Sequence, residues 1–502
     1  MAVSNLVKRV QDIMRNDAGV DGDAQRISQM TWMFFLKVYD AKEEEWEFYD
    51  EKYVSLIPEQ LKWRNWAVDD KSNKVMTGDT LLSFVNNKLF PYLKGNEIEI
   101  DGVKYRFEIS QDTPFKQRIA RYVFEDAQNY MKDGVLLRQV INEINVVDFS
   151  EYKERHEFGT IYETILKSLQ SAGNAGEFYT PRAVTDFMVQ MIAPKLGESV
   201  ADFACGTGGF LTSALKYLEP QKISPEDVDK YNNTIYGIEK KPLPYLLCIT
   251  NMLLHDVDEP KIYHANSLEK NVRDYTDDEK FDIVLMNPPY GGSEKDAVKN
   301  NFPADLRSSE TADLFMNVIM YRLKKNGRCA VIIPDGFLFG TDNAKSAIKA
   351  KLFSEFNLHT IVRMPHSVFA PYTSITTNIL FFDNTHPTTE TWVYRMDMPE
   401  GYKNFSKTKP ILLEHFAPVV EWWNNRGEII VDDFPKAKKY SVEDIKSFNY
   451  NIDLCGYPHE EEEILPPQDL IKEYREKRAS LDANIDRVLT EIMTLLGENN
   501  EG

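Results

Sequence analysis

The stretch FDIVLMNPPYGG, residues 281–292, joins an apolar run to four residues of unusual chemical content. Phe281 to Met286 reads as a buried strand, and Asn287, Pro288, Pro289 and Tyr290 end it abruptly. Neither proline has a backbone N–H and both have a fixed φ, so a ladder cannot continue through them. The same two rings hold the loop rigid, which would aim the Asn287 side-chain oxygen and the Pro288 carbonyl at one point. Two fixed acceptors suit an amino group conjugated to a ring. Its delocalised lone pair makes it a poor nucleophile until both N–H bonds are held out of plane. Tyr290 supplies a π-face on which such a ring can stack. As a plain turn the segment would be odd, because a buried Asn costs free energy without partners.

A second segment, ADFACGTGGFLTSALKYL (201–218), reads as strand, Gly-rich turn and helix. Gly206 and Gly208 would let the backbone approach a ligand closely, and the helix behind them aims its N–H groups at it. The dinucleotide fingerprint would need glycine at position 211, which is Leu211. Alone, such a turn serves equally well as a tight connection. The next strand ends in an acid, Glu239, where a carboxylate could accept both hydroxyls of a ribose. Asn266 follows the third strand, where an amide could meet an adenine edge. Three such signals at successive carboxyl ends of one sheet mark a ligand crevice.

These positions require a particular scaffold. From about residue 195, short β-branched runs alternate with helical stretches: ESVADFA, NTIYGIE, KIYHA, FDIVLM, CAVIIP, HTIVRMP and TNILFFD. The alternation predicts a doubly wound α/β fold, with a mostly parallel, Rossmann-like sheet of seven strands covered on both faces. In that arrangement the fourth strand lies beside the first, so Asn287 faces the same crevice as the Gly-rich turn. Residues 1–160 read as an N-terminal helical domain, 161–400 as the sheet domain, 401–465 as an irregular extension and 466–502 as a C-terminal helix. EFGTIYETILKSLQ (157–170) has the spacing of a further amphipathic helix. In the tail, Ile471, Tyr474, Leu481, Ile485, Val488, Ile492 and Leu495 recur at a 3.5-residue period, broken only by Arg478, which is the pattern of a coiled-coil seam.

Composition narrows the function. A content of 42% hydrophobic and 27% charged residues is ordinary for a water-exposed globular chain. No apolar run reaches the length that spans a bilayer, and the N-terminus lacks a signal-peptide layout, so a cytoplasmic protein without membrane attachment is expected. The four cysteines show no CxxC pairing and read as reduced thiols, with no metal expected. Gly-Lys occurs nowhere, which excludes a Walker A loop. No cysteine follows a proline, which excludes cytosine-C5 chemistry. The net charge of −20 argues against a chain that grips nucleic acid unaided.

DFACGTGGF with NPPY resembles the amino-methylating, S-adenosylmethionine-dependent DNA methyltransferases. With NAGEFYTPRAV, ETADLF and FAPYTSITTNILFF, the chain is similar to the modification subunit of type I restriction–modification systems, over about residues 10–385. The resemblance implies N6-adenine methylation with S-adenosylmethionine as cofactor. It places Glu177, Phe178, Tyr179 and Thr180 over the methionine part, and Asp202, Ala204, Gly206, Thr207, Gly208 and Gly209 along the cofactor. Glu239 would hold the ribose, with Asn266 and Ser267 near the adenine. Asn287, Pro288, Pro289 and Tyr290 would form the catalytic loop, and Phe369 with Tyr290 the target-base pocket. Phe203 stands where this family usually has Pro, and Asn266 where Asp is common. The implied partners are double-stranded DNA, a specificity subunit whose helical spacer would meet the C-terminal helix, a second copy of the chain in a two-to-one complex, and optionally a motor-nuclease restriction subunit. Cytosine N4 presents a similar amine, and a cofactor-binding assembly scaffold without turnover is the non-enzymatic alternative.

Overall fold

The computed structural model describes residues 6–69, 75–110, 112–147, 179–370, 373–456 and 467–495. The helix read at 157–170, together with Glu177 and Phe178, lies outside the described residues. The chain forms one compact unit through Gly456 and a second from Tyr457 onward.

The N-terminal region is helical, with one small hairpin, β1 (Ile98–Ile100) and β2 (Val103–Tyr105). Its longest helix, Gly22–Tyr49, buries the block Met30–Leu36 that its sequence marks as apolar. Helix Gly134–Asn145 starts at Asp133, whose carboxylate accepts from the N–H groups of Val135 and Leu136 at 2.7 and 3.0 Å. That satisfies two of the four N–H groups a helix start leaves unpaired.

The central sheet contains β3 (Val200–Asp202), β4 (Ile235–Glu239), β5 (Lys261–His264), β6 (Phe281–Met286), β7 (Leu323–Pro334), β8 (Asn357–Arg363), β9 (Thr377–Asp383), β10 (Glu390–Arg395), β11 (Ile429–Val431) and β12 (Phe434–Ser441). Their order is β11-β12-β10-β8-β9-β7-β6-β3-β4-β5. The seven strands read from the sequence form the contiguous run from β8 to β5. All pairings in that run are parallel except those of β9, which is antiparallel to both β7 and β8. β6 and β9 are buried on both faces, which is why they read as continuous apolar runs.

Three strands beyond the expected seven extend this sheet. β10 pairs in parallel with β8, and the hairpin β11–β12 adds to β10. The segment read as irregular therefore carries regular structure. β12 (FPKAKKYS) lacks a strand signature because it is polar and contains Pro435, as edge-proximal strands tolerate. Helix Ala417–Asn424 covers this part, setting Trp422 against Tyr394 and Trp392 at ring distances of 4.8 and 5.8 Å.

The helical region and the sheet share packing. Helix Gly22–Tyr49 lies against helix Pro242–Leu254, and side chains from both join one apolar core. Lys42, only 4% exposed, places its ammonium 3.0 Å from each of Glu45, Asp256 and Asp258. Three carboxylates compensate the desolvation of that one cation. Among the described residues, no helix is long and apolar enough to cross a membrane.

Candidate active site

A cleft of about 420 Å³ opens at the carboxyl ends of β3, β4, β5 and β6. At the end of β3, Gly206 takes a φ of +54° and Gly208 a φ of +81°. Gly206 lines the cleft with no atom within 4 Å of where a Cβ would stand. A side chain there would be strained and would occupy ligand space. Gly208 does not line the cleft. It starts helix Gly209–Leu218, and a Cβ on it would meet Cys248 Sγ at 2.9 Å. Its left-handed φ and this close packing between helices both exclude a side chain at that glycine.

Glu239, at the end of β4, reaches back to this turn. Its carboxylate accepts from the N–H of Gly206 at 2.9 Å and of Lys241 at 2.7 Å. Asp202 lies beside it, 2% exposed, and accepts from the Ala204 N–H at 3.0 Å. Burial pushes the Asp202 carboxyl up to about 8; that backbone bond opposes the rise, and the Glu239 charge adds to it. Asn266 turns its side-chain oxygen to the Leu268 N–H at 3.1 Å, and Ser267 donates to the Phe203 carbonyl.

Phe203 is the ring standing where the family usually has proline. It is 1% exposed and lies 4.4 Å from the Arg322 guanidinium. That guanidinium also faces Phe281, Tyr236 and Tyr275 at 4.6–5.1 Å and donates to the Glu279 carbonyl at 3.0 Å. Phe203 thus supplies one wall of an aromatic cage for a buried cation, a role proline could not fill.

Across the cleft, Asn287 follows the last residue of β6. Its Nδ2 donates to Thr180 Oγ1 at 3.0 Å, and its Oδ1 accepts from the Tyr290 hydroxyl. The carboxamide is therefore held at both ends. Tyr290 is 7% exposed, and burial raises its phenol well above the ordinary value, so the hydroxyl stays a neutral donor. Tyr179, Thr180, Asp202, Ala204, Gly206, Thr207, Gly209, Glu239, Asn266, Ser267 and the whole of Asn287–Tyr290 line one cleft. Phe369 does not. It is 1% exposed within the apolar core, so its ring faces packed side chains.

Sequence reasoning missed several lining residues. Leu243, Pro244 and Leu247, on the helix after β4, form an apolar wall, and Phe315 contributes from the helix before β7. The pair Leu243–Pro244, four residues past the Glu239 acid, was the available signal. Ala24, from the first turn of helix Gly22–Tyr49, also reaches the cleft. Nothing local in the sequence announces that approach.

The sequence profile described as N-6 DNA Methylase matches residues 153–464. The chain belongs to the N-6 DNA methylase family. The profile of the HsdM N-terminal domain matches residues 3–144 of the methylase. It is 48% identical to the methylase subunit of the type I restriction enzyme EcoEI of Escherichia coli, over 96% of each chain. A crystal structure of a modification subunit of a putative type I restriction enzyme from Vibrio vulnificus is 39% identical, with a TM-score of 0.76 over 88% of this chain and 93% of that one. A chain from a study of assembly and conformational transition in the type I restriction–modification system is 32% identical, with a TM-score of 0.78 over 100% and 99%. The methylase is a type I modification subunit and an adenine-N6-specific DNA methyltransferase. The N-6 profile selects adenine N6 over cytosine N4.

Proposed function

We propose that the cleft holds S-adenosylmethionine beside an adenine flipped out of duplex DNA, and that Asn287, Pro288 and Tyr290 hold the amine to be methylated. The observation that carries this reading is the Asn287 carboxamide, fixed between Thr180 and Tyr290 in the same cleft as Asp202 and Glu239. The residues fit the cofactor. The open space over Gly206 leaves room for a ligand, and about 420 Å³ lies within the usual range of small-molecule pockets. Glu239 would take the ribose hydroxyls, Asn266 and Ser267 would lie near the adenine, and Asp202 would face the cationic end. The cofactor, when bound, supplies a methyl group activated by a sulfonium.

The protein's own part is to bind, orient and exclude water. The Asn287 Oδ1 and Pro288 carbonyl would accept the two N–H bonds of adenine N6, so that its lone pair points at the methyl group. Catalysis then comes from positioning and preorganised dipoles. Extruding the base costs a few kcal/mol of unstacking, offset in part by stacking on Tyr290. A radiolabelled methyl group appearing in N6-methyladenine on nucleoside digestion tests the reading, and label in N4-methylcytosine would overturn it.

The Tyr290 hydroxyl sits on the acceptor that the incoming amine needs, so it must turn aside when the base enters. Tyr290→Phe keeps the ring and should retain much of the activity. Tyr290→Ala removes roughly 1–3 kcal/mol of base stacking and should raise the KM for DNA. If the two variants behave alike, the loop's shape matters and the ring does not.

The proposed assembly is a two-to-one complex of modification and specificity subunits on DNA in the cytoplasm, with a restriction subunit optional. Helix Pro467–Leu495 supports it. Ile471, Tyr474, Leu481, Ile485, Val488 and Ile492 are 45–63% exposed along one helix, which suits a seam completed by a partner helix. Deleting residues 466–502 should leave a folded chain that binds S-adenosylmethionine but no longer co-purifies with the specificity subunit. Normal assembly of the truncated chain would sink this assignment.

A further inference from the structure

The segment Gly401–Pro410, GYKNFSKTKP, carries three lysines and no acid in a chain of net charge −20, with Glu400 and Glu414 flanking it. Lys403, Asn404, Lys407, Thr408 and Lys409 are exposed, whereas Phe405 is buried and Tyr402 half-buried. Beneath the lysines, the rings of Tyr402, Phe405 and His415 pack together at 5.2–5.7 Å. Ser406 and Lys409 exchange backbone hydrogen bonds of 2.9 and 3.2 Å, and Ser406 Oγ accepts from the Lys409 N–H at 3.1 Å. The Lys409 ammonium lies 5.7 Å from the Tyr402 ring. The charges stand on a closed, anchored turn.

That turn packs at the carboxyl end of β8, an interior strand of the sheet that carries the active site. Asn404 Oδ1 bonds the His366 ring at 2.8 Å, and the Phe405 N–H donates to Ser367 Oγ at 2.9 Å. His366 and Ser367 follow the end of β8, which runs in the same direction as β6. β8 lies three places from β6, so its carboxyl end is displaced from Asn287 by about 14 Å at about 4.8 Å per strand. Measured along a duplex axis, that is about four base-pair steps of about 3.4 Å.

We infer that the Gly401–Pro410 turn docks on the DNA backbone, its lysines meeting phosphates within a few nucleotides of the flipped adenine. The inference rests on the DNA-methylating function proposed above. Lysines interleaved with exposed Asn and Thr donors are the side chains that position a protein on phosphates without reading sequence. A local cluster of this kind gives an acidic chain its own share of the grip on DNA.

The test uses the complex purified with its native partners and a plasmid that the wild-type complex methylates. The variant carrying Lys403→Gln, Lys407→Gln and Lys409→Gln should show a shallower dependence of log K on log salt. The slope should fall by about 0.9 for each phosphate that is no longer neutralised, up to about 2.7. Affinity for S-adenosylmethionine and assembly should be unchanged, and the Lys→Arg triple variant should keep the wild-type slope. An unchanged slope overturns the inference, and so does loss of assembly, which would make the turn a protein interface. Should the triple variant not fold, Lys403→Gln alone is expected to lower the slope by about 0.9, and no change there is equally fatal. A wild-type complex that transfers no methyl group to DNA would instead refute the underlying function.

Discussion

Asn287→Ala should lower kcat for methyl transfer by at least about 10²–10³-fold, the cost of removing one preorganised polar group from a reacting centre. Binding of S-adenosylmethionine should be unaffected. The two expectations separate because Asn287 is bonded to Thr180 and Tyr290, while Asp202, Glu239 and the Gly206 turn form the other wall of the cleft. The orientation of the carboxamide adds a finer test. Its Nδ2 is spent on Thr180 Oγ1, which leaves Oδ1 toward Tyr290 and the incoming amine. Thr180→Val removes that acceptor and should lower kcat more than it raises the KM for DNA, whereas Thr180→Ser should restore turnover. Titration calorimetry with the cofactor and single-turnover transfer measure the two arms. Near-normal turnover in Asn287→Ala would end the proposed mechanism.

Much of this arrangement can be read locally. β6 and β9 announce themselves because burial on both faces demands runs such as FDIVLM and TNILFFD, and Gly206, Glu239, Asn266 and Asn287 stand at or just beyond strand ends. What could not be read depends on pairings distant in sequence. β12 is held by its register with β10, which overrides a composition containing Pro435 and three lysines. The approach of Ala24 to the cleft follows from docking helix Gly22–Tyr49 on helix Pro242–Leu254, and no periodicity encodes a docking partner. Gly208 and Phe369 show the converse. Both sit within segments that mark the family, yet a Cβ on the first would meet Cys248 Sγ and the ring of the second is buried in the core. A residue inside a functional motif can be fixed by packing.

Asp202 yields the other large effect, a dependence of cofactor affinity on pH. In the protein alone burial raises its carboxyl to about 8, so at pH 6–7 it is mostly protonated. Its contribution to folding is fully present below the unfolded value near 4 and is lost as pH rises from there through about 8. A cationic ligand end brought beside it favours the carboxylate and lowers that pKa, so binding must release a proton. Affinity for S-adenosylmethionine should therefore rise with pH, by up to about tenfold per unit, until the carboxyl of the free protein ionises near 8. Calorimetry at pH 6.5 in two buffers of different ionisation enthalpy counts the protons, and close to one per cofactor is expected. Asp202→Asn keeps the shape but cannot ionise, so its affinity should be lower at pH 7.5 and nearly flat between pH 5.5 and 7.5. The same flatness in the wild type, with no proton released, would place the positive end of the cofactor away from Asp202 and leave Glu239 as the carboxylate that meets it.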